Sequence, residues 1–154
     1  MQFQALPTDQ VRAYQSGAPD AYGCTPERKT SDGAGNPCRH CLQEIAEGAE
    51  MLVLAHRPFT GLHPYAETGP IFLCAQPCAP GGGTTQPQIL HSSPDYLLRG
   101  YDVDDRIIYG TGAVIAADAI QSYAATLFER AEVAYIHVRS ARNNCYQLRI
   151  NRDG

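Results

Sequence analysis

The chain has 154 residues, of which 12 are lysine or arginine and 16 are aspartate or glutamate, and its formal net charge is −4 at pH 7. This balance gives no overall basic field, so nucleic acid and acidic membrane surfaces are not expected as partners. Hydrophobic residues make up 44% and charged residues 18% of the chain, as in ordinary folded proteins, which argues against extensive disorder. The length suits a single globular domain over residues 1–154.

The first residues, Met1 to Leu6, contain neither a basic segment nor an apolar run, so a secretory signal is not expected. No stretch of the sequence is apolar over the length of a bilayer-spanning helix. We therefore expect a cytoplasmic protein. In that reducing compartment the six cysteines are expected to be thiols or metal ligands rather than disulfides.

The first half of the chain predicts mainly strands. Residues 1–6 can form an edge strand, and a short helix is expected near residues 9–14. Apolar runs predict buried strands at residues 51–55 and 69–75. The intervening loop, residues 59–68, is expected to bring polar groups at the strand ends together.

A glycine- and proline-rich stretch, residues 77–87, predicts an irregular surface loop. It includes three consecutive glycines but lacks the Gly-Lys-Ser/Thr ending of a phosphate-binding loop. Further strands are predicted at residues 96–101 and 106–115, with an acidic turn between them.

The strongest helical pattern covers residues 118–130, where apolar side chains recur at helical spacing. Asp118 and Gln121 resemble a capping box at its start. Leu127 and Phe128 lie on its apolar face, which we expect to pack on the protein core.

A β-hairpin is predicted at the end of the chain, with arms at residues 133–139 and 145–150. In the first arm a period of two places Ile136 and Val138 on a core face and the residues between them on the other face. Together with the other elements, this predicts an α+β fold in which a largely antiparallel sheet packs against the main helix of residues 118–130.

Four of the six cysteines form two close pairs, Cys38 with Cys41 and Cys74 with Cys78. Two such pairs can complete a closed tetrahedral zinc site, which is usually structural. In the alternative interpretation, Cys74 is a small apolar strand residue and the other thiols are unlinked. His40 could also replace one of the thiols as a metal ligand.

The sequence Cys38-Arg39-His40-Cys41 also allows a thiol-redox interpretation, because a neighbouring arginine and a protonated histidine favour a reactive thiolate. However, the βαβ pattern that precedes such a motif in thioredoxin folds is missing. The histidines also lack the spacing of a catalytic metal motif.

The predicted hairpin carries the richest set of polar side chains. His137, Arg139, Arg142 and Asn143 can recognise a small anionic or polar ligand, because arginine binds carboxylate or phosphate with two parallel hydrogen bonds and histidine exchanges protons near neutral pH. The alternative is a solvated hairpin face. Further residues that could join this group are Asn144, Arg57, His63, Tyr65 and Glu67. Cys145 is either a nucleophile or a buried structural thiol.

Three segments carry a resemblance to a known family. Residues 135–146 read Tyr-Ile-His-Val-Arg-Ser-Ala-Arg-Asn-Asn-Cys-Tyr, residues 37–39 read Pro-Cys-Arg, and residues 69–72 read Gly-Pro-Ile-Phe. These segments resemble, in the expected order, those of an uncharacterised bacterial family, domain of unknown function family 1203. The resemblance implies no activity. We therefore expect a ligand-binding or regulatory domain with a structural zinc site, and the alternative is a small hydrolase or thiol-redox enzyme.

Overall fold

The computed structural model describes all 154 residues and contains nine strands, two α-helices and two 3₁₀ turns. The strands are β1 (Gln2–Gln4), β2 (Glu27–Thr30), β3 (Glu50–His56), β4 (Gly69–Cys74), β5 (Gly82–Gly83), β6 (Asp95–Tyr101), β7 (Ala113–Ala116), β8 (Tyr135–Ser140) and β9 (Tyr146–Asn151). The helices are α1 (Thr8–Gln15) and α2 (Ile120–Phe128). Neither has the length and apolar character needed to cross a membrane.

The strands form two sheets. The larger sheet has the order β5-β1-β9-β8-β6-β7, and the smaller has the order β2-β3-β4. Every neighbouring pair in both sheets is antiparallel, as predicted. Helix α2 has 9 residues and α1 has 8, so the fold is sheet-rich with two short helices rather than built on one main helix.

The predicted C-terminal hairpin is confirmed, since β8 pairs with β9 and Ile136 lies opposite Ile150. One face of these strands is apolar. Ile136 and Val138 belong to a buried cluster that also contains Ile120 and Leu127 of α2. Removing each such side chain from water stabilises the fold by roughly 1.5–3 kcal/mol.

The opposite face of β8 is also buried. Tyr135, His137 and Arg139 are only 2%, 1% and 4% exposed, respectively. Tyr146 on the neighbouring strand belongs to a second core cluster that contains Leu52 of β3 and other residues of the smaller sheet. The smaller sheet therefore covers this polar face. The alternative of a solvated hairpin face is wrong for His137 and Arg139, whereas residues 142–144 are exposed as it predicted.

The strand predicted at residues 106–115 is shortened to β7 at its C-terminal end. The carboxylate of Asp102 accepts hydrogen bonds from the backbone N–H groups of Asp104 and Arg106, both at 2.9 Å. Asp105 has a positive φ of 61°. This local bonding bends the chain into a turn and leaves only an isolated bridge between Tyr101 and Ile107.

The predicted helix of residues 118–130 begins two residues later and ends two residues earlier. Asp118 lies in a 3₁₀ turn, Ala117–Ala119, and makes no capping hydrogen bond. Gln121 donates instead to the carbonyl oxygen of Thr84 at 3.3 Å. The predicted capping box is therefore wrong.

The glycine-rich stretch at residues 77–87 contributes β5 to the larger sheet, so β1 is not an edge strand. A Cβ at Gly81 would lie 2.3 Å from the carbonyl oxygen of Cys41, and one at Gly82 would lie 2.4 Å from that of Phe3. These glycines permit close backbone packing rather than a loose loop. Strand β2 was not predicted, because all four of its residues are exposed and its sequence shows no apolar alternation.

Candidate metal centre and inter-sheet cleft

The two cysteine pairs come together in space. The Sγ atoms of Cys38, Cys41, Cys74 and Cys78 all lie within 4.8 Å of one another. The Cys41–Cys74 distance is 3.9 Å and the Cys38–Cys78 distance is 4.0 Å. A regular tetrahedron with metal–sulfur bonds of about 2.3 Å has edges of about 3.8 Å. The cluster therefore has the dimensions needed to hold one metal ion, and all six cysteines are free thiols.

Backbone contacts position these cysteines. Cys38 forms a parallel bridge with Phe72 of β4, and its carbonyl oxygen accepts a 3.0 Å hydrogen bond from the N–H of Leu42. This bond closes a turn that directs Cys38 and Cys41 to the same side as Cys74. Leu42 has a φ of 58°, a left-handed conformation that leucine rarely adopts, so the surrounding contacts must hold the turn in place.

The cluster is buried on one side and accessible on the other. Cys38 is fully buried, whereas Cys41, Cys74 and Cys78 are half-buried. These three border an open groove of about 600 Å³ on the surface. A metal ion in this position would be held by the core yet reachable by a chelator or an oxidant.

The four sulfur atoms do not ionise equally. Hydrogen bonds from the Cys41 and Cys74 side chains lower the pKa of Cys38 far below its ordinary value. The same interactions raise the pKa of Cys41 and of Cys74. Burial, and then the charge on Cys38, raise the pKa of Cys78 to about 12. A divalent cation would supply the positive charge needed to hold four thiolates together.

His40 supports the cluster from outside it. The imidazole is fully buried, and its Nδ1 lies 3.1 Å from Cys78 Sγ while its Nε2 lies 2.9 Å from Thr8 Oγ1. His40 is therefore hydrogen-bonded to a cysteine of the cluster rather than replacing one. Through Thr8, it links the cluster to the first residue of α1.

A second feature is the inter-sheet cleft, defined here as two neighbouring cavities between the smaller sheet and the polar face of the larger one. The large cavity has a volume of about 540 Å³ and is bordered by His56, His137, Tyr146 and Arg149. Both ring nitrogens of His56, and Nδ1 of His137, are buried without a hydrogen-bond partner. Aromatic rings surround His137, with centroids 4.7–5.2 Å away: Phe59, Tyr101, Tyr135 and Tyr146.

Both histidines of the large cavity are neutral at pH 7. Burial, followed by the charges of Arg39 and Arg57, lowers the pKa of His56 to about 4. Burial, followed by the charge of Arg139, lowers the pKa of His137 well below its ordinary value. A neutral imidazole can donate one hydrogen bond and accept another, which suits a polar ligand.

The small cavity has a volume of about 190 Å³ and shares His56 and Tyr146 with the large one. Arg139 borders it and is 4% exposed. Its Nη1 donates to the carbonyl oxygen of Asn144 at 3.2 Å and lies 3.2 Å from Glu67 Oε2. Its Nε and Nη2 are buried and have no partner.

Glu67 pairs with two arginines. Arg99 donates to its two carboxylate oxygens, at 3.1 and 2.9 Å, and Arg139 lies beside it. Burial raises the pKa of Glu67, but the Arg99 hydrogen bonds and the charge of Arg139 outweigh this effect and lower it overall. Two guanidinium groups therefore share one carboxylate.

The structure separates the four residues predicted to bind a ligand. His137 borders the large cavity, whereas Arg139 and Asn143 border the small one. Arg142 forms an ion pair with Asp95, has a side chain that is 58% exposed, and lies in neither cavity.

The additional residues predicted for this site also divide. Asn144, Glu67 and Cys145 border the small cavity, and Arg57 borders the large one. His63 packs against Phe59, and Tyr65 bonds to the hydroxyl of Tyr109, both outside the two cavities. The loop at residues 59–68 thus brings only some of its polar groups to the site.

Sequence reasoning did not assign several residues at the cleft. His56, Tyr146 and Arg149 border it, while Arg99 and Tyr101 contact Glu67 and His137, which border it. Their position follows from strand register, because Arg99 and Arg149 lie opposite His137 on either side of β8. His56 offered one usable signal in the sequence, since it directly follows the apolar run of residues 51–55.

Comparisons with curated proteins and with solved structures find no match. A family model does match, over residues 35–152 of the 154-residue chain, and it is described as "Protein of unknown function (DUF1203)". The matched region includes the four clustered cysteines and the whole lining of the small cavity, whereas half of the residues that line the large cavity precede it. The chain therefore belongs to this family of unknown function, as its sequence motifs indicated.

Proposed function

We propose that this protein binds a small anionic or polar ligand in the inter-sheet cleft, and that a structural zinc ion, held by Cys38, Cys41, Cys74 and Cys78, fixes one wall of that cleft. The observation that carries the proposal is the concentration of buried polar groups without partners in one place. They belong to His56, His137 and Arg139, which border the cleft, and to Tyr101, Arg99 and His63, which lie outside its lining.

Unpaired buried polar groups favour a ligand. Each costs roughly 1–3 kcal/mol when it is removed from water without a partner, so several together would destabilise the fold. A polar ligand that pairs with them offsets this cost. The residues assigned to the ligand are His137, Arg139 and Asn143 from the hairpin, together with His56.

Zinc is the ion that best fits the cysteine cluster. Four thiolates in tetrahedral arrangement favour zinc or an iron–sulfur centre, and two of the six sulfur–sulfur distances, 3.9 and 4.0 Å, are close to the edge expected around a single ion. With all four positions filled by protein sulfur, such an ion leaves no coordination site for a substrate. A reducing bacterial cytoplasm would keep the thiols available for the metal.

A hydrogen bond links the metal centre to the cleft. Arg39, next to Cys38, is 2% exposed, and burial lowers its pKa to about 10. Its Nε donates to the carbonyl oxygen of Tyr146, whose ring borders both cavities. Loss of metal would therefore weaken ligand binding, which gives the protein a route to regulation.

The proposal is tested by purifying the protein without added metal, measuring zinc, and screening small anions and polar compounds by NMR with ¹⁵N-labelled histidine. We expect about one zinc per chain, and at least one compound that shifts the His56 and His137 signals while leaving the exposed His91 unchanged. A screen in which no compound moves either signal would overturn the ligand-binding proposal. Sub-stoichiometric zinc whose removal leaves folding unchanged would overturn the metal proposal.

A thiol-redox enzyme is the second candidate, because Cys41 and Cys74 are half-exposed and their sulfur atoms are 3.9 Å apart. Protection of all four thiols from alkylation by zinc would favour the structural role. Reversible formation of a disulfide within the cluster, Cys41–Cys74 or Cys38–Cys41, seen by mass spectrometry in protein purified with its native metal content, would favour the enzyme.

A further inference from the structure

We infer that the small cavity is a docking site for a carboxylate group, whose two oxygens accept hydrogen bonds from Nε and Nη2 of Arg139. This inference rests on the proposed ligand-binding function and names the chemical class of the ligand, a small monocarboxylate. Three observations support it: the free edge of Arg139, the local charge balance, and the size of the cavity.

The free edge of Arg139 has the geometry of a carboxylate receptor. In a guanidinium group, Nε–H and one N–H of Nη2 lie on the same edge and point in parallel, which matches the two oxygens of a carboxylate. Both atoms are buried and lack a partner, whereas Nη1 on the other edge is engaged by Asn144 and Glu67. The side chain is thus held along one edge. The other edge is unpaired but buried even in the empty cavity, so a carboxylate reaches it only when the Arg139 side chain or a residue packed on it shifts.

The charge balance favours a ligand with a single negative charge. Arg99 and Arg139 carry two positive charges and share the single carboxylate of Glu67, so one buried positive charge is uncompensated. A buried charge without a counterion is strongly unfavourable. A monocarboxylate neutralises it, whereas a phosphate of charge about −1.5 to −2 would leave excess negative charge, and a neutral ligand would compensate nothing.

The walls of the cavity limit what the carboxylate can carry. Its volume of about 190 Å³ admits a group of only a few heavy atoms. Pro58, Pro70 and Tyr146 line its apolar side, and the amide side chains of Asn143 and Asn144 lie at its exposed rim. Because His56 borders both cavities, a short polar tail on the ligand can reach its unpaired imidazole in the large cavity.

The test uses the zinc-loaded full-length protein and four probes: acetate, glycolate, the neutral isostere acetamide, and inorganic phosphate. Each is titrated while the Nε–H signal of Arg139 is followed by NMR. We expect saturable shifts of this signal with acetate and glycolate, no shift with acetamide, and at least tenfold weaker binding of phosphate. Glycolate should also shift the His56 signals, which acetate leaves unchanged.

Two arginine variants complete the test. Arg139→Lys keeps the charge but loses the two-pronged edge, so acetate binding should weaken at least tenfold while zinc content and the circular dichroism spectrum stay unchanged. Arg28→Lys, on an exposed arginine paired with Glu50, should bind acetate like the unmodified chain. Phosphate binding as tightly as acetate, or an Arg139→Lys variant with unaltered acetate affinity, would overturn the carboxylate assignment and leave the broader ligand proposal standing. If no probe shifts Arg139 while other compounds shift His56 and His137, only the carboxylate inference fails.

Discussion

Arg39 joins the candidate metal centre to the inter-sheet cleft through one hydrogen bond, in which its Nε donates to the carbonyl oxygen of Tyr146 at 2.7 Å. Its Nη1 donates to the carbonyl oxygen of Pro37 at 2.6 Å, so the buried guanidinium spans the turn before Cys38 and the start of β9. A change in the position of Cys38 is therefore transmitted to a residue that borders both cavities.

Removing one metal ligand should release the metal and destabilise the protein. Cys74→Ser is expected to lower zinc content to well below one per chain and to lower the unfolding midpoint, because metal binding in such sites is coupled to folding. Zinc analysis and thermal unfolding measure both effects. Cys24→Ser is the matched control, since Cys24 is exposed and outside the cluster. Equal stability of the two variants would contradict a structural role for the metal.

His40 should tune metal affinity without being a ligand. His40→Ala removes the hydrogen bond to Cys78 Sγ and is expected to weaken zinc binding by about 10- to 100-fold, as loss of supporting contacts does at other metal sites. Competition with a chromogenic chelator measures the change. Thr8→Val, which removes only the hydroxyl bonded to His40 Nε2, should have a smaller effect in the same direction. A His40→Ala protein with unaltered zinc affinity would exclude this supporting role.

Acidification should destabilise the protein through His56. Its pKa falls from 6.5 to about 4 on folding, so the folded state binds the proton more weakly than the unfolded chain. The contribution of His56 to the free energy of unfolding is therefore fully present above pH 6.5 and is lost as the pH falls toward 4. Each pH unit of this window corresponds to about 1.4 kcal/mol, so neutral His56 accounts for about 3 kcal/mol of the free energy of unfolding that is lost on acidification.

This pH dependence is measured by denaturant unfolding at pH 7 and pH 4.5. His56→Gln should reduce the difference in unfolding free energy between the two pH values. His91→Gln should leave this difference unchanged, because His91 is exposed. His137 contributes in the same direction, since burial also lowers its pKa. If His56→Gln loses as much unfolding free energy on acidification as the unmodified protein, other groups must cause the loss.

Glu67 should be the counterion of the buried arginines. Glu67→Gln leaves Arg99 and Arg139 without a carboxylate and is expected to destabilise the fold by about 1–3 kcal/mol, part of which added acetate should restore. Glu50→Gln breaks an exposed pair with Arg28 and should cost about 0–1 kcal/mol. Urea unfolding with and without acetate measures both variants. A Glu67→Gln protein as stable as Glu50→Gln would remove the charge argument for the cleft.

Arg142 should be dispensable for ligand binding. It is exposed, pairs with Asp95 and lies in neither cavity. Arg142→Ala is expected to change the free energy of unfolding by less than about 1 kcal/mol and to leave the affinity for acetate unaltered. Titration monitored at Arg139 checks this. Reduced affinity in Arg142→Ala would mean that the turn of the hairpin moves onto the ligand.

The strands with apolar runs or alternating patterns were predictable, because burial leaves its period in the sequence: β3, β4, β8 and β9 all follow this rule. Strands β2 and β5 were not, because exposed polar side chains and glycines carry no such period. The proximity of the four cysteines was predictable from their spacing.

The cleft was only partly predictable. Tyr135, His137 and Arg139 alternate as expected, but nothing local shows that a second sheet buries them. Likewise, Glu67 and Arg99 are 32 residues apart in the chain, so their pairing depends on how the two sheets pack. Arg142 could not be separated from Arg139 by sequence, since both are arginines of the same hairpin.

The burial of β8 on both faces also bears on how the ligand site forms. This strand is hydrogen-bonded to β6 and β9 along its two edges, so its amides should be among the slowest to exchange with deuterium. His137 and Arg139 are therefore carried by a rigid backbone, so adaptation to a ligand of the proposed kind would be confined to side chains. Such a ligand would then enter without movement of the strand that carries these two side chains.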